Sequence, residues 1–191
     1  MAIDEGLLVE AGRSGAAFLR LYRFDPPCWS FGRNDPAVTG DVGIVRRPTG
    51  GRAVWHEHEV TYAVAAPIAL FGGLRSAYRA IHERLAAALR SLGADVTLAG
   101  DRPTGRLGDR PSSCFAETVG GEVLAGGRKV IGSAQVRRGA AFLQHGSILL
   151  DGAPETMNAT TLRQVLGRPV TFEEVSTAVV SAWDLAPQTA L

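Results

Sequence analysis

Apolar and polar positions change period several times along the chain, and each change marks an element. Ile3, Leu7, Leu8 and Ala11 recur at helical spacing, so a helix opens the chain and stops near Gly12. FLRLYRF (18–24) and CWSFG (28–32) read as strands bent by Pro26 and Pro27. A turn-rich stretch follows, then strands around GIVRR and RAVWHEHEVTYAVAA, with the tight loop PTGG (48–51) between them. Leu74, Ala77, Tyr78, Ile81, Leu85, Ala88, Leu89 and Leu92 form one face of a helix that Gly93 is placed to end and that should lie against a sheet.

Residues 99–113, AGDRPTGRLGDRPSS, have no apolar period and read as a long loop within one domain. GEVLA, RKVIGSAQVRR and AAFLQHGSILL then give three strands in close succession. Thr160 to Leu166 predicts a short helix, and Thr171-Phe172-Glu173-Glu174 a capping box that opens a final helix to about Trp183. Meandering strands with a few segregated helices indicate an α+β fold, not a doubly wound parallel sheet.

Composition narrows the picture. At 191 residues and 46% hydrophobic, the chain can bury one sizeable core. A net charge of +1 with no basic block excludes a general nucleic-acid binder and leaves room for a specific acidic partner. No apolar run approaches the roughly 20 residues of a membrane-spanning helix. The opening MAIDEGLLVEAG carries acids where a secretory signal would carry a basic start, so the expected location is the cytoplasm. There Cys28 and Cys114 are expected as free thiols. Nineteen of the twenty basic residues are arginine and the single lysine is Lys129. Either composition alone left one lysine, or chemistry at that position needs a compact ammonium instead of a planar guanidinium.

Three segments can carry chemistry. In RRPTGGRAVWHEHEVTYAV (46–64), adjacent glycines between strands are either a simple turn or a place where backbone approaches a ligand. On a continuous strand His56 and His58 would share one face, and Glu57 and Glu59 the other, but no further ligands at short spacing complete a metal site. In SSCFAETVGGEVLAGGRKVIGSAQ, Cys114 ends the long loop and Lys129 follows on a strand. An ammonium near a thiol would favour the thiolate nucleophile, whereas a cysteine beside phenylalanine can also be a packed small hydrophobe, the reading that suits Cys28. In QHGSILL (144–150), Gly146 interrupts an apolar strand, and His145 is either a base or a satisfied sheet histidine.

Taken together, RRPTGGRAVWHEHEVTYAV, GRKVIGSAQVRR and AAFLQHGSILLDG resemble the signature blocks of the lipoate-protein ligase and octanoyltransferase family, in the same order and at similar spacing, from IDEGLL to the last helix. The resemblance implies a catalytic domain of the biotin/lipoate ligase type: α+β, with a mixed, largely antiparallel sheet and flanking helices. PTGGR matches the biotin ligases' own loop poorly. The chain is similar to the cysteine-dependent octanoyltransferases, whose nucleophile lies in a Cys-Phe pair about fifteen residues before the Gly-Arg-Lys block, where Cys114-Phe115 stands.

That likeness implies Cys114 as nucleophile and Lys129 as the cation that positions the acyl carbonyl. Arg47, Thr49, Gly50, Gly51, His56, Gly132, Ser133, His145 and Gly146 would line a slender acyl pocket. It also implies acyl carrier protein as donor, a lipoyl domain or glycine-cleavage H protein as acceptor, a monomer, no metal, no nucleic acid and no membrane. Arg102, Arg106 and Arg110 either meet the acidic carrier or are simply solvated. The transferase branch needs no cofactor. The runner-up, an ATP-dependent lipoate-protein ligase, would need ATP and Mg2+, and a degenerate family member would bind acceptor without turnover. Two departures stand out: Thr118, Val119, Gly120 and Gly121 replace the family's usual Pro-Ser pair and aromatics after the cysteine, and the family's strand before the first helix is expected to be missing.

Overall fold

The computed structural model describes residues 1–36, 43–100, 120–152 and 158–184. Cys114, Arg102, Arg106, Arg110, the segment 118–119 and most of the expected 99–113 loop lie outside the described residues.

The central element is β5 (Glu59–Pro67), whose residues are buried from Glu59 to Ala66. A strand covered on both faces has no need of polar alternation, which is why EVTYAVAAP reads as a nearly continuous apolar run. It pairs antiparallel with β1 (Phe18–Tyr22) on one side and with β10 (Ala141–Leu149) on the other. The adjoining β9 (Ile131–Arg138) completes a sheet of order β1-β5-β10-β9. A second sheet, β3-β2-β4, joins β2 (Cys28–Phe31) parallel to β3 (Ile44–Arg46) and antiparallel to β4 (Val54–His56). A third is made of β6 (Thr97–Leu98), β7 (Val123–Ala125) and β8 (Arg128–Lys129). This is the α+β class expected, with antiparallel pairing dominant.

Helix α1 (Ala2–Ser14) covers one face of the main sheet, and α2 (Leu74–Ser91) with α4 (Phe172–Asp184) covers the other. The α2 face builds the larger core, in which Ile81, Leu85 and Leu89 meet Tyr62, Val64, Phe142 and Ile148, as its apolar stripe predicted. A small helix α3 (Leu162–Leu166) opens on a full capping box between Thr161 and Gln164. At α4 only half of the expected box forms: Thr171 Oγ1 accepts from the Glu174 amide at 3.1 Å, while the Glu174 carboxylate pairs with Arg168 at 2.6 Å. Among the described residues no helix is long and apolar enough to cross a membrane.

Three boundaries differ from the sequence expectation. α1 runs past Gly12 to Ser14 and ends on Gly15, whose amide returns to the Ala11 carbonyl at 3.1 Å. Gly12 instead lies against Ala141 as a point of close helix–sheet contact. RAVWHEHEVTYAVAA is broken at Glu57-His58 into β4 and β5. RKVIGSAQVRR is broken at Val130, whose N–H donates to Val123 and whose carbonyl accepts from Leu149, so one residue ties the third sheet to the first.

Candidate active site

The RRPTGG segment leaves β3 at Arg46 and is held by the buried guanidinium of Arg47. Nη1 donates to Ser30 Oγ at 2.6 Å and to the Ser30 carbonyl at 2.8 Å, and Nη2 donates to the Arg52 carbonyl at 2.7 Å. One planar fork thus spans the loop and ties it to β2, a task suited to arginine's several fixed donors. The loop lies directly on the end of β2: a Cβ at Gly32 would stand 2.0 Å from the Gly51 carbonyl oxygen. Only glycine allows this approach, and nothing in the sequence pattern singled out Gly32.

His56 and Glu59 form the next layer. The expected sharing of one face by His56 and His58, and of the other by Glu57 and Glu59, is overturned. His56 and Glu59 are buried, whereas Glu57 and His58 are exposed. The strand ends at His56 and restarts at Glu59, so the two-residue alternation is reset between them. His56 Nδ1 lies 2.5 Å from Glu59 Oε1, and its Nε2 is hydrogen-bonded to Ser30 Oγ. Ser30 Oγ also accepts from Arg47, so the serine joins the guanidinium to the His56 ring. Thr61 also donates to Glu59 Oε1.

His145 is buried and hydrogen-bonded through one ring nitrogen only. Its Nε2 is 2.7 Å from Thr49 Oγ1, and its Nδ1 faces Asp4 Oδ2 at 3.6 Å, an electrostatic contact too long for a formed hydrogen bond. Asp4 is fully buried in α1 and also accepts from Arg20 at 2.5 Å and from the Tyr22 hydroxyl at 2.8 Å. Burial raises its carboxyl, but the contacts with His145, Tyr22 and Arg20 outweigh that and hold it below the ordinary carboxylate value. Burial pushes His145 down, against the opposing pull of Asp4.

A third group lies where β9 and β10 meet α2. Ser133 Oγ is shared by the Tyr62 hydroxyl at 2.6 Å and His82 Nε2 at 2.8 Å, and Gln144 donates to the Tyr62 oxygen at 3.1 Å. His82 is pushed down to about 3, first by burial and then by the nearby charge of Lys129. Gly146 has no room for a side chain on this side: a Cβ would meet the Gly132 carbonyl at 2.2 Å and the Tyr62 ring at 2.9 Å. The glycine that the sequence offered as a ligand passage admits, on this face, the protein's own tyrosine and serine.

Lys129 is almost fully buried on β8, its Nζ 3.0 Å from Glu122 Oε2. Cys28, expected to be a packed thiol, is buried, and burial followed by the charge of Glu59 raises its pKa.

Arg47, His56, Gly132, Ser133, His145 and Gly146 converge on one open cleft, which Thr61 and Ser147 also line. Of the other predicted residues, Thr49 sits behind His145, and Gly50 and Gly51 carry the loop backbone past Gly32. Lys129 is not among the residues that line this cleft; it lies near enough to His82 for its charge to act on that ring, and His82 is bonded to the cleft-lining Ser133. Sequence reasoning missed Asp4, Ser30, Glu59, His82 and Glu122. Glu59 and Thr61 at strand spacing were the only local hint of a shared polar contact.

The family model described as the lipoyl protein ligase A/B catalytic domain matches residues 1–161. The chain is 42% identical to octanoyltransferase LipM of Moorella thermoacetica over 184 residues, which cover 88% of this chain and 65% of that protein. It is 36% identical to octanoyltransferase LipM of Kyrpidia tusciae over 220 residues, covering 96% of this chain and 80% of the relative. It thus spans about two thirds to four fifths of the length of these relatives. Among solved structures, lipoate-protein ligase A bound with ATP superposes with a TM-score of 0.75 at 22% identity, over 96% of this chain and 77% of that one, a likeness of fold.

Proposed function

The chain belongs to the lipoyl protein ligase A/B catalytic domain family, and from that premise we propose that it transfers an octanoyl group from acyl carrier protein to a lysine of a lipoyl domain or glycine-cleavage H protein, through an acyl-enzyme on Cys114. The observation that carries this reading is the convergence of three sequence-distant blocks, around residues 47–61, 132–134 and 145–147, on one cleft.

In the first step the Cys114 thiolate attacks the thioester carbonyl, a new thioester forms on the enzyme, and the carrier's thiol leaves with a proton. In the second, the neutral amine of the acceptor lysine attacks that carbonyl, the amide forms, Cys114 departs as thiolate, and the proton the amine loses returns to solvent, balancing the one taken up by the carrier's thiol. Lys129 is the donor for the carbonyl oxygen, whose negative charge grows in both steps. Burial of the acyl chain in the cleft supports selection by chain length, because each methylene buried contributes about 0.8 kcal/mol. The thioester already supplies the activated acyl group, so the reaction proceeds without ATP.

Intact mass spectrometry after exposure to octanoyl carrier protein tests the reading. The expected product is a hydroxylamine-sensitive octanoyl adduct on the unaltered protein that is absent from Cys114→Ala. Acceptor modification only when free lipoate and ATP are supplied, with no adduct from the carrier protein, would replace the transferase with a ligase.

A further inference from the structure

Lys129 and Glu122 are buried to 1% and 3% side-chain exposure, with Nζ and Oε2 3.0 Å apart. An ammonium removed from water this completely is expensive unless an anion meets it, and the same holds for the carboxylate. The pair therefore has no place in the core by accident of packing, and its two members are rooted in rigid backbone. The Glu122 carbonyl accepts from the Ala99 amide at 2.7 Å, tying its strand to β6. The Lys129 amide donates to the Asn158 carbonyl at 3.1 Å, and the Lys129 carbonyl accepts from Thr160 at 2.8 Å.

The surroundings favour a single charge state. Tyr78 points its hydroxyl at the other carboxylate oxygen, Glu122 Oε1, at 3.4 Å. His82, packed edge-on against Tyr78, stays neutral at physiological pH and brings no second cation to compete for the carboxylate. Tyr62, whose environment also includes Glu122, is likewise kept protonated by burial.

We propose that Glu122 is a positioning residue whose carboxylate fixes both the place and the charge of the Lys129 ammonium, so that the lysine serves as a donor to the acyl carbonyl. This rests on the reading of Lys129 given above. It also divides the labour of the site: with its charge offset by Glu122, Lys129 acts through directed hydrogen bonding at short range more than through a long-range field.

The composition of the chain makes the test specific. With one lysine in the sequence, lysine-selective isotope labelling yields a single side-chain signal in the NMR spectrum, that of Lys129. In Glu122→Gln the Lys129 side-chain signal should move from its place in the spectrum of the unaltered protein, as loss of the buried partner 3.0 Å away requires. kcat for octanoyl transfer should fall about tenfold or more with KM for the carrier protein little changed. Glu122→Asp keeps the charge with a shorter reach and should restore part of the rate. It also serves if the glutamine variant does not fold.

A Lys129 signal that stands at the same place in Glu122→Gln and the unaltered protein overturns the inference, as does full transfer activity in Glu122→Gln beside an inactive Lys129→Met. Full activity in Lys129→Met instead overturns the role assigned to the lysine, while the NMR signal still reports whether the carboxylate holds it.

Discussion

The two faces of the main sheet are built from the same strands to different ends. Toward α2 and α4 the strands present Val60, Tyr62, Val64, Phe142 and Ile148, and the helices answer with Ile81, Leu85, Leu89, Val175 and Val179. Toward α1 they present Ala63, Ala65, Ala141 and Leu143, met by Leu8 and Ala11. Large side chains hold helices away from the sheet and remove much apolar surface from water, so the first face supplies most of the stability. Alanines let α1 settle close to the strands, close enough for the short side chain of Asp4 to reach Arg20, Tyr22 and His145. Thr61, His145 and Ser147 continue the alanine face beyond the start of α1, and there the cleft opens. On the thin face a backbone-to-backbone approach leaves little slack for side chains to drift, whereas on the other the polar group of Tyr62, Ser133, His82 and Gln144 is set among large apolar side chains.

The widest separation between the faces should come from Leu85→Ala, which opens a cavity in the large core. It is expected to cost about 3 kcal/mol, read as a lowered urea midpoint with unchanged slope, while the folded fraction keeps its transfer rate. A rate loss as large as the stability loss would merge the two faces into one functional unit. Ala63→Leu overpacks the thin face and should cost about 1–3 kcal/mol. Here the transfer rate of the folded protein should drop by about tenfold or more, since α1 is pushed off and Asp4 leaves His145.

Asp4→Asn sharpens the comparison through pH. The folded carboxyl lies below its ordinary value of 3.8, so its stabilising contribution is present above that value and lost as pH falls through the lowered folded value. The variant should be less stable by about 2 kcal/mol near pH 6, and urea titrations of the two proteins should draw together below about pH 4. The smallest effect belongs to His82 on the opposite face. Its ordinary value of 6.5 is pushed down to about 3 on folding, so only the unfolded chain takes up that proton between those values. Stability should decline by about 1 kcal/mol as pH drops from about 7.5 to 6, and His82→Gln should abolish that part of the slope.

Much of the scaffold was legible before any coordinates. The stripe from Leu74 to Leu92 carried its own helical period, the run EVTYAVAA its own strand, and Thr160 to Leu166 its own short helix, because each is decided among residues a few positions apart. Lys129 stood out by being alone of its kind, and the glycine and histidine blocks by their likeness to a family. Its partner did not stand out: Glu122 is one of nineteen acids, and nothing local marks the one that will be buried. The error at HEHE has a similar source, since alternation along a strand holds only until the strand breaks, and the break at Glu57-His58 exchanges the inward and outward residues.

By itself, then, the amino-acid order determined the elements, the fold class, the family and the side chains available for chemistry. Tertiary structure alone decided which of them meet: Asp4 with His145, His56 with Glu59 and Ser30, Lys129 with Glu122, and Gly32 with the loop that crosses it. Secondary structure is written in periodicities that a short window samples. A buried polar pair is chosen by strand register and by the distance at which a helix can pack, and both are set by the whole fold at once.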